Sequence, residues 1–388
     1  MATGDTKAIH GTRRKGHGPL VTPVYLTSTW RLENARQGAA LSAATAPPEF
    51  YTRWGNPTTR DLEEVLAHLE GGHGAIATGS GMGAISSAIL AAVKKGDHVV
   101  AGKSLYSATM EMFTRFLPRL GVQCTFVDPR EPGAWKEAVG EDTRLVYAET
   151  PANPTMMITD LREAARAARS IGAVSMCDST FATPVNQRPI ERGIDIVLHS
   201  ATKYLGGHSD LVAGAIVAKD RRWFNRLWYT HKLLGPTLGP MEAFLVRRGL
   251  KTLGVRVRQH NRNAQDLAEF LEDHRRVRKV FYPGLKSFEQ HRLARGQMDG
   301  FGGMFSFSLR GGHRACVRFV ESVKVATLAV SLGGAETLVQ HPASMTHGPL
   351  TAKERAASEI QEDLIRVSVG LEDIEDLRED FAAALRRT

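Results

Sequence analysis

Cysteine is scarce: Cys124, Cys177 and Cys316 are the only three in a chain of 388 residues. They are widely spaced and odd in number, so neither a disulfide framework nor a zinc-ligand spacing is available. Buried free thiols in a reducing compartment are the simplest reading. Long apolar runs are missing as well, since none approaches the roughly 20 residues of a membrane span. The segment from Met1 to Lys15 is polar and basic, without the apolar stretch of a secretory signal. These absences lead us to expect a cytoplasmic chain with no metal centre and no membrane partner. Aromatic residues make up only 7% of the chain and are not interleaved with its basic clusters, Arg247-Arg248, Arg256 to Arg262 and Arg275 to Lys279. The formal net charge of +9 therefore reads as solvated helix faces, and no nucleic-acid partner is expected.

What is present is an ordinary globular composition, 42% hydrophobic and 23% charged, long enough for two or three cores. Between about residues 75 and 218 the pattern alternates. Apolar strand-like runs occur at Ala75–Thr78, His98–Ala101, Val122–Val127, Leu145–Ala148, Ala173–Cys177, Ile194–Leu198 and Ala213–Ala218, with helical runs such as Ile85–Lys94, Thr109–Leu120 and Leu161–Ser170 between them. Such alternation predicts an α/β fold with a mostly parallel, doubly wound central sheet. Beyond it, strands at Val277–Val280, Gly303–Ser308 and Leu364–Ser368, with helices at Ala264–Asp273, Arg314–Ser322 and Ile374–Leu385, predict a smaller C-terminal α/β domain. Residues 1–50 carry little regular pattern and make sense as an arm that packs on a partner subunit. The expected division is therefore 1–50, 51–250 and 251–388.

Lys203 sits between two of the apolar runs, in Ser200-Ala201-Thr202-Lys203-Tyr204-Leu205-Gly206-Gly207-His208-Ser209-Asp210. Alone it would be a solvated turn lysine. Asp178, however, ends the strand-like run before it, and two strand ends of one sheet can bring both groups to one flat ring. A lysine amine forms a Schiff base with pyridoxal phosphate, and an aspartate keeps the pyridine nitrogen protonated.

The Lys203 stretch resembles the cofactor-lysine motif of the Cys/Met-metabolism family of pyridoxal-phosphate enzymes. That family contains the cystathionine γ-synthases and lyases, the methionine γ-lyases and the O-acylhomoserine sulfhydrylases. The resemblance covers nearly the whole chain and implies the fold type I, aspartate-aminotransferase-like architecture with pyridoxal 5'-phosphate as cofactor. Tyr51-Thr52-Arg53-Trp54-Gly55-Asn56-Pro57-Thr58 is similar to the family's Tyr-x-Arg-x-x-Asn-Pro-Thr. It implies that Tyr51 and Arg53 reach across a subunit interface to the cofactor phosphate. At Ser80-Gly81-Met82 the resemblance implies a phosphate cradle made by the amides of Gly81 and Met82. Ser200 and Thr202 carry hydroxyls able to hold phosphate oxygens.

Tyr106 occupies the place of a ring-stacking tyrosine that also passes protons, although the family's Tyr-Gly is Tyr106-Ser107 here. Glu149-Thr150-Pro151-Ala152-Asn153-Pro154 matches Glu-x-Pro-x-Asn-Pro, which places Glu149 and Asn153 near the cofactor. Arg366, in an apolar strand, needs an anion. The resemblance supplies a substrate α-carboxylate, with Ser331 and Leu332 beside it. His341 and His347 read as loop residues, too far apart for a helical metal pair.

A dinucleotide fold is the serious rival. Gly79, Gly81 and Ala84 fit Gly-x-Gly-x-x-Ala, but the next strand-like run lacks the acid that would bind ribose. A cofactor-bearing homologue that only binds or scaffolds is the third reading. The resemblance itself implies loss of a γ-thiol from a sulfur amino acid, with Lys203 and Tyr106 as the catalytic pair, in a homotetramer with shared sites. Residues 335–347 are more similar to bacterial methionine γ-lyases than to the synthases. Against methionine stands Ala108, where those lyases typically carry a cysteine. Elimination is therefore expected ahead of γ-replacement on an O-acylhomoserine, and methionine ahead of cystathionine.

Overall fold

The computed structural model describes residues 4–11, 17–346, 348, 355 and 359–388. His347 lies outside them. Seven strands form the first sheet: β1 (Gly74–Thr78), β2 (His98–Gly102), β3 (Gln123–Val127), β4 (Thr143–Glu149), β5 (Val174–Asp178), β6 (Ile196–His199) and β7 (Gly214–Ala218). Their order is β1-β7-β6-β5-β4-β2-β3, and only β7 runs against its neighbours. The central strands β5 and β7 are buried along their whole length, as near-continuous apolar runs require when helices cover both faces.

One face packs on helix Pro57–Glu70, where Leu62, Val65, Leu66 and Leu69 meet Ala75, Val197 and Val217. The other packs on helix Gly81–Ala92 through Ala84, Ile85, Ala88 and Ile89. Local sequence fixes where both helices start. Asn56 accepts a hydrogen bond from the Thr58 amide, and Pro57 follows as the first helical residue. Ser80 accepts from the Gly83 amide.

A second sheet follows the 20-residue helix Leu253–Glu272. Its strands are β8 (Val277–Phe281), β9 (Met304–Leu309), β10 (Thr327–Leu328), β11 (Leu338–Gln340) and β12 (Leu364–Ser368), in the order β10-β11-β12-β9-β8. The expected strands are all present within a few residues, and β10 and β11 are additions. The N-terminal stretch is less irregular than expected, since Gly4–His10 and Ala35–Ala43 are helical.

Three readings of single residues change. Arg247 and Arg256 are buried rather than solvated. Arg247 donates to the carbonyls of Ala8 and Ile9, and Arg256 to those of Tyr204 and Gly249. Of the cysteines, all free, Cys177 and Cys316 are buried but Cys124 is only partly covered.

Candidate active site

Three neighbouring parallel strands, β4, β5 and β6, end on the same side of the sheet, and each delivers a functional group there. Glu149 closes β4 and Asp178 closes β5, directly opposite each other in register. After β6 the chain turns through Ser200 to Gly207, closed by Gly206 N–H to Ala201 O at 2.9 Å and Gly207 N–H to Lys203 O at 2.7 Å. Lys203 stands in that turn.

The Lys203 amine donates to Ser331 Oγ at 2.6 Å. Burial, with the Arg366 guanidinium nearby, lowers its pKa to about 8. Ser331 has a left-handed backbone, φ +82°, which puts its hydroxyl on Lys203 while its carbonyl accepts from Arg366 Nη2 at 2.7 Å. Gly333, two residues on, has φ +74°, and a Cβ there would meet the Tyr204 amide nitrogen at 2.6 Å. The loop therefore lies on the lysine turn only because this residue is glycine. Leu332 is buried in the core between them.

Arg366, 4% exposed on β12, also donates to Asn153 Oδ1 at 3.0 Å. With the Gln340 amide oxygen turned toward it, the guanidinium has a third neutral acceptor at 3.2 Å. No carboxylate pairs with it among the described residues. Burial pulls its pKa down to about 10, so it stays charged at neutral pH.

Glu149 ties this group to Tyr106. Its carboxylate accepts the Tyr106 amide at 2.8 Å and the Asn153 amide at 2.9 Å. Burial, reinforced by the charge of Asp178, raises its pKa to about 8. Asp178 is likewise raised by burial, although the Thr180 hydrogen bonds and His199 pull against the rise. Tyr106 leaves 41% of its surface exposed at the start of helix Ser107–Glu111.

On the far side of the lysine turn lies the first turn of helix Gly81–Ala92. A Cβ on Gly81 would sit 2.8 Å from Ser200 Cβ and 3.0 Å from its hydroxyl. Bare backbone thus faces Ser200, and the first helical amides, Gly81 and Met82 among them, have no acceptor within the helix. Thr202 is committed differently. Its hydroxyl donates to Ala213 O at 3.1 Å and accepts the Ala213 amide at 3.0 Å, holding the turn to the start of β7.

Tyr51 and Arg53 stand apart. Arg53 donates to Lys232 O and lies 5.3 Å from the Tyr51 ring centroid. No hydrogen bond joins either to Ser200, Thr202 or Lys203 among the described residues. Two contributors escaped the sequence reading. Gln340 has no motif of its own and gains significance only because β11 pairs Gln340 opposite Arg366. Thr180 links two strand ends, since its amide donates to Asp178 and its hydroxyl accepts the Ser200 amide at 2.8 Å.

The donor set fits pyridoxal phosphate on three counts. Unshielded helix amides with a hydroxyl suit a phosphate. A pair of buried carboxylates short of positive charge suits a pyridinium nitrogen. A buried amine that is readily neutral suits an aldehyde carbon. It does not fit a dinucleotide, because β1 and β2, which such a fingerprint needs as neighbours, are separated by β7, β6, β5 and β4.

Known proteins agree. An L-methionine gamma-lyase of Treponema denticola is 48% identical over 385 residues, covering 98% of this chain and 96% of that one. A cystathionine beta-lyase of Lactococcus lactis subsp. cremoris is 42% identical and aligns over the full length of both. The crystal structure of a cystathionine gamma synthase from Xanthomonas oryzae pv. oryzae, at 40% identity, covers 100% of this chain and 98% of its own with a TM-score of 0.94. The profile described as Cys/Met metabolism PLP-dependent enzyme matches residues 5–386. The chain belongs to that family of pyridoxal-phosphate enzymes.

Proposed function

We propose that the protein eliminates the γ-thiol of a sulfur amino acid, methionine or cystathionine, giving a thiol, 2-oxobutanoate and ammonia. One observation carries this reading. The buried Arg366 guanidinium and the Lys203 amine are joined through a single residue, Ser331, so an α-amino acid can place its carboxylate on one and its reacting amino carbon by the other.

In this reading Lys203, Asp178, Ser200 and the amides of Gly81 and Met82 hold the cofactor, Thr202 braces the lysine turn against the start of β7, and Glu149 and Asn153 fix the surroundings. Pyridoxal phosphate, when bound, supplies an electron-accepting ring for the electrons left at Cα. Asp178 keeps that demand high by holding a proton at the ring nitrogen. Lys203, with its pKa near 8, can take the Cα proton and then a proton from Cβ, whose electrons expel the γ-sulfur as a thiolate that needs a proton from a second carrier. Tyr106 is the second proton carrier, with its backbone held by Glu149 and its side chain left partly exposed. Arg366, Ser331 and Leu332 orient the substrate by its carboxylate end.

Support for a bulky thioether comes from Ala108, in helix Ser107–Glu111 two residues after Tyr106. Ala108 leaves space where a cysteine would narrow it. We further propose the division into 1–50, 51–250 and 251–388, a cytoplasmic location, and a homotetramer in which Tyr51 and Arg53 serve the neighbouring subunit.

A product assay tests the reading. Purified protein with methionine or cystathionine, and no added thiol, is expected to release 2-oxobutanoate and ammonia. If neither does so, while an O-acylhomoserine plus a thiol gives a replacement product, the protein is a synthase of the kind its X. oryzae relative is named for.

A further inference from the structure

One end of the small sheet gathers three metal-ligating side chains that the proposed reaction does not use. β9 leads into helix Gly312–Ser322, which carries His313 in its first turn. β11 ends one residue before His341, and β12 begins two residues after Glu362. Because β9, β12 and β11 are neighbours, those three positions meet. One ligand atom from each lies within 4.8 Å of the other two. His313 Nδ1 is 3.3 Å from Glu362 Oε2, and the two imidazole rings stand 4.9 Å apart at 77°.

We propose that His313, His341 and Glu362 form a binding site for a late first-row divalent cation such as Zn²⁺ or Ni²⁺. Imidazole and carboxylate are the donors such ions favour. Tetrahedral bonds of about 2.0–2.1 Å set donor atoms about 3.3 Å apart, which the His313–Glu362 pair already matches. The remaining contraction falls on His313 and Glu362, both half-exposed.

His341 is prepared for the role. It is buried, and one ring nitrogen, Nε2, lies 2.8 Å from the Glu362 carbonyl oxygen, which can only accept. That fixes the proton on Nε2 and leaves the Nδ1 lone pair, now met by Ser344 Oγ at 2.8 Å, as the ligand. A histidine whose second nitrogen donates to a carbonyl is the usual arrangement behind a metal. Arg355 binds the other oxygen of Glu362, Oε1, at 3.0 Å and so leaves Oε2 available. Three protein donors leave a fourth position for water.

The test is Zn²⁺ binding to the chelator-treated holoenzyme by equilibrium dialysis against a competing chelator, followed by thermal unfolding. One ion per chain is expected. Removing a donor is expected to cost at least about tenfold in affinity, in His313→Ala and in Glu362→Gln alike. Zn²⁺ should raise the unfolding midpoint of the parent protein and leave that of His313→Ala unmoved. His313 is half-exposed, so its variant keeps the fold, which the unchanged visible spectrum of the cofactor verifies. Absence of a stoichiometric ion, or variants that bind it as tightly as the parent protein, overturns the site.

Discussion

Arg366 is a charge with no carboxylate of its own among the described residues, held by three neutral oxygens. A guanidinium so placed is unfavourable until an anion arrives. In Arg366→Leu the loss in kcat/KM for amino-acid substrates is expected to be about 3–5 kcal/mol, carried mostly by KM, because the substrate carboxylate is then left buried and unpaired. Cofactor affinity should change little, and a substrate response like that of the parent would place the carboxylate elsewhere. The same substitution has a second readout. The Lys203 amine is half neutral near pH 8. At pH 7.5 about a quarter of it is therefore neutral, against about one in a thousand for an exposed lysine. The neutral form gains as pH rises. Amine-reagent labelling of Lys203 in cofactor-free protein should thus climb through an inflection near pH 8. Arg366→Leu removes a neighbouring positive charge, so its inflection should move to higher pH. The site was legible at Lys203, Asp178 and Arg366 because each is an ionisable residue in or beside an apolar strand, where bland explanations fail. Gln340 was not legible, since a neutral amide in a loop-like stretch carries no such conflict.

Elements obey the same logic. Leu161–Ser170 and Ile374–Leu385 match the expected bounds residue for residue because their buried positions, Asp380 apart, are apolar and recur at helical spacing. Helix Leu253–Glu272 was seen only from Ala264 onward. Its first half buries Arg256, His260 and Asn263, which donate to carbonyls of Tyr204, Gly249, Val369, Gly370 and Glu372. Hydropathy cannot report burial bought with hydrogen bonds. β10 and β11, two and three residues long, are too short for any period to register and exist because β12 offers an edge. The helix Gly81–Ala92 gives the prediction at this scale. Alanine is the better helix former, favoured over glycine by about 1 kcal/mol in a helix interior. In Gly81→Ala, however, the new methyl would press on Ser200 at 2.8 Å and part the helix amides from the lysine turn. Cofactor affinity is expected to fall at least about tenfold, since this end of the helix is where the phosphate charge is met. Gly140→Ala, with nothing within 4 Å, is the control. Equal cofactor affinity in both variants would remove the phosphate from this helix.

At the scale of the whole molecule, Tyr51 and Arg53 have the chemistry of a phosphate clamp but, among the described residues, make no hydrogen bond to the lysine turn of their own chain. Around them the surface is too apolar for a solitary subunit. Leu20 is 98% exposed, Leu26 73% and Leu233 63%, and Tyr25, Leu32, Tyr229 and Leu234 are exposed with them. So many large apolar side chains left exposed point to a surface that a partner covers. If a neighbouring subunit covers the arm, one chain's Arg53 can serve another chain's Lys203, and every site is then built from two chains. Arg53→Ala alone should loosen the cofactor, and Lys203→Ala alone should abolish turnover together with the visible band of the lysine-bound cofactor. In a dimer made of one of each, both defects fall into the same site and the other site is left intact. Random exchange of equal amounts gives about half mixed dimers, so about a quarter of the parent's activity should return on mixing. Were the two residues to act from one chain, each mixed dimer would hold one site with each defect. Exchanged mixtures would then show no more activity than the average of the two variants, and the shared site would be refuted.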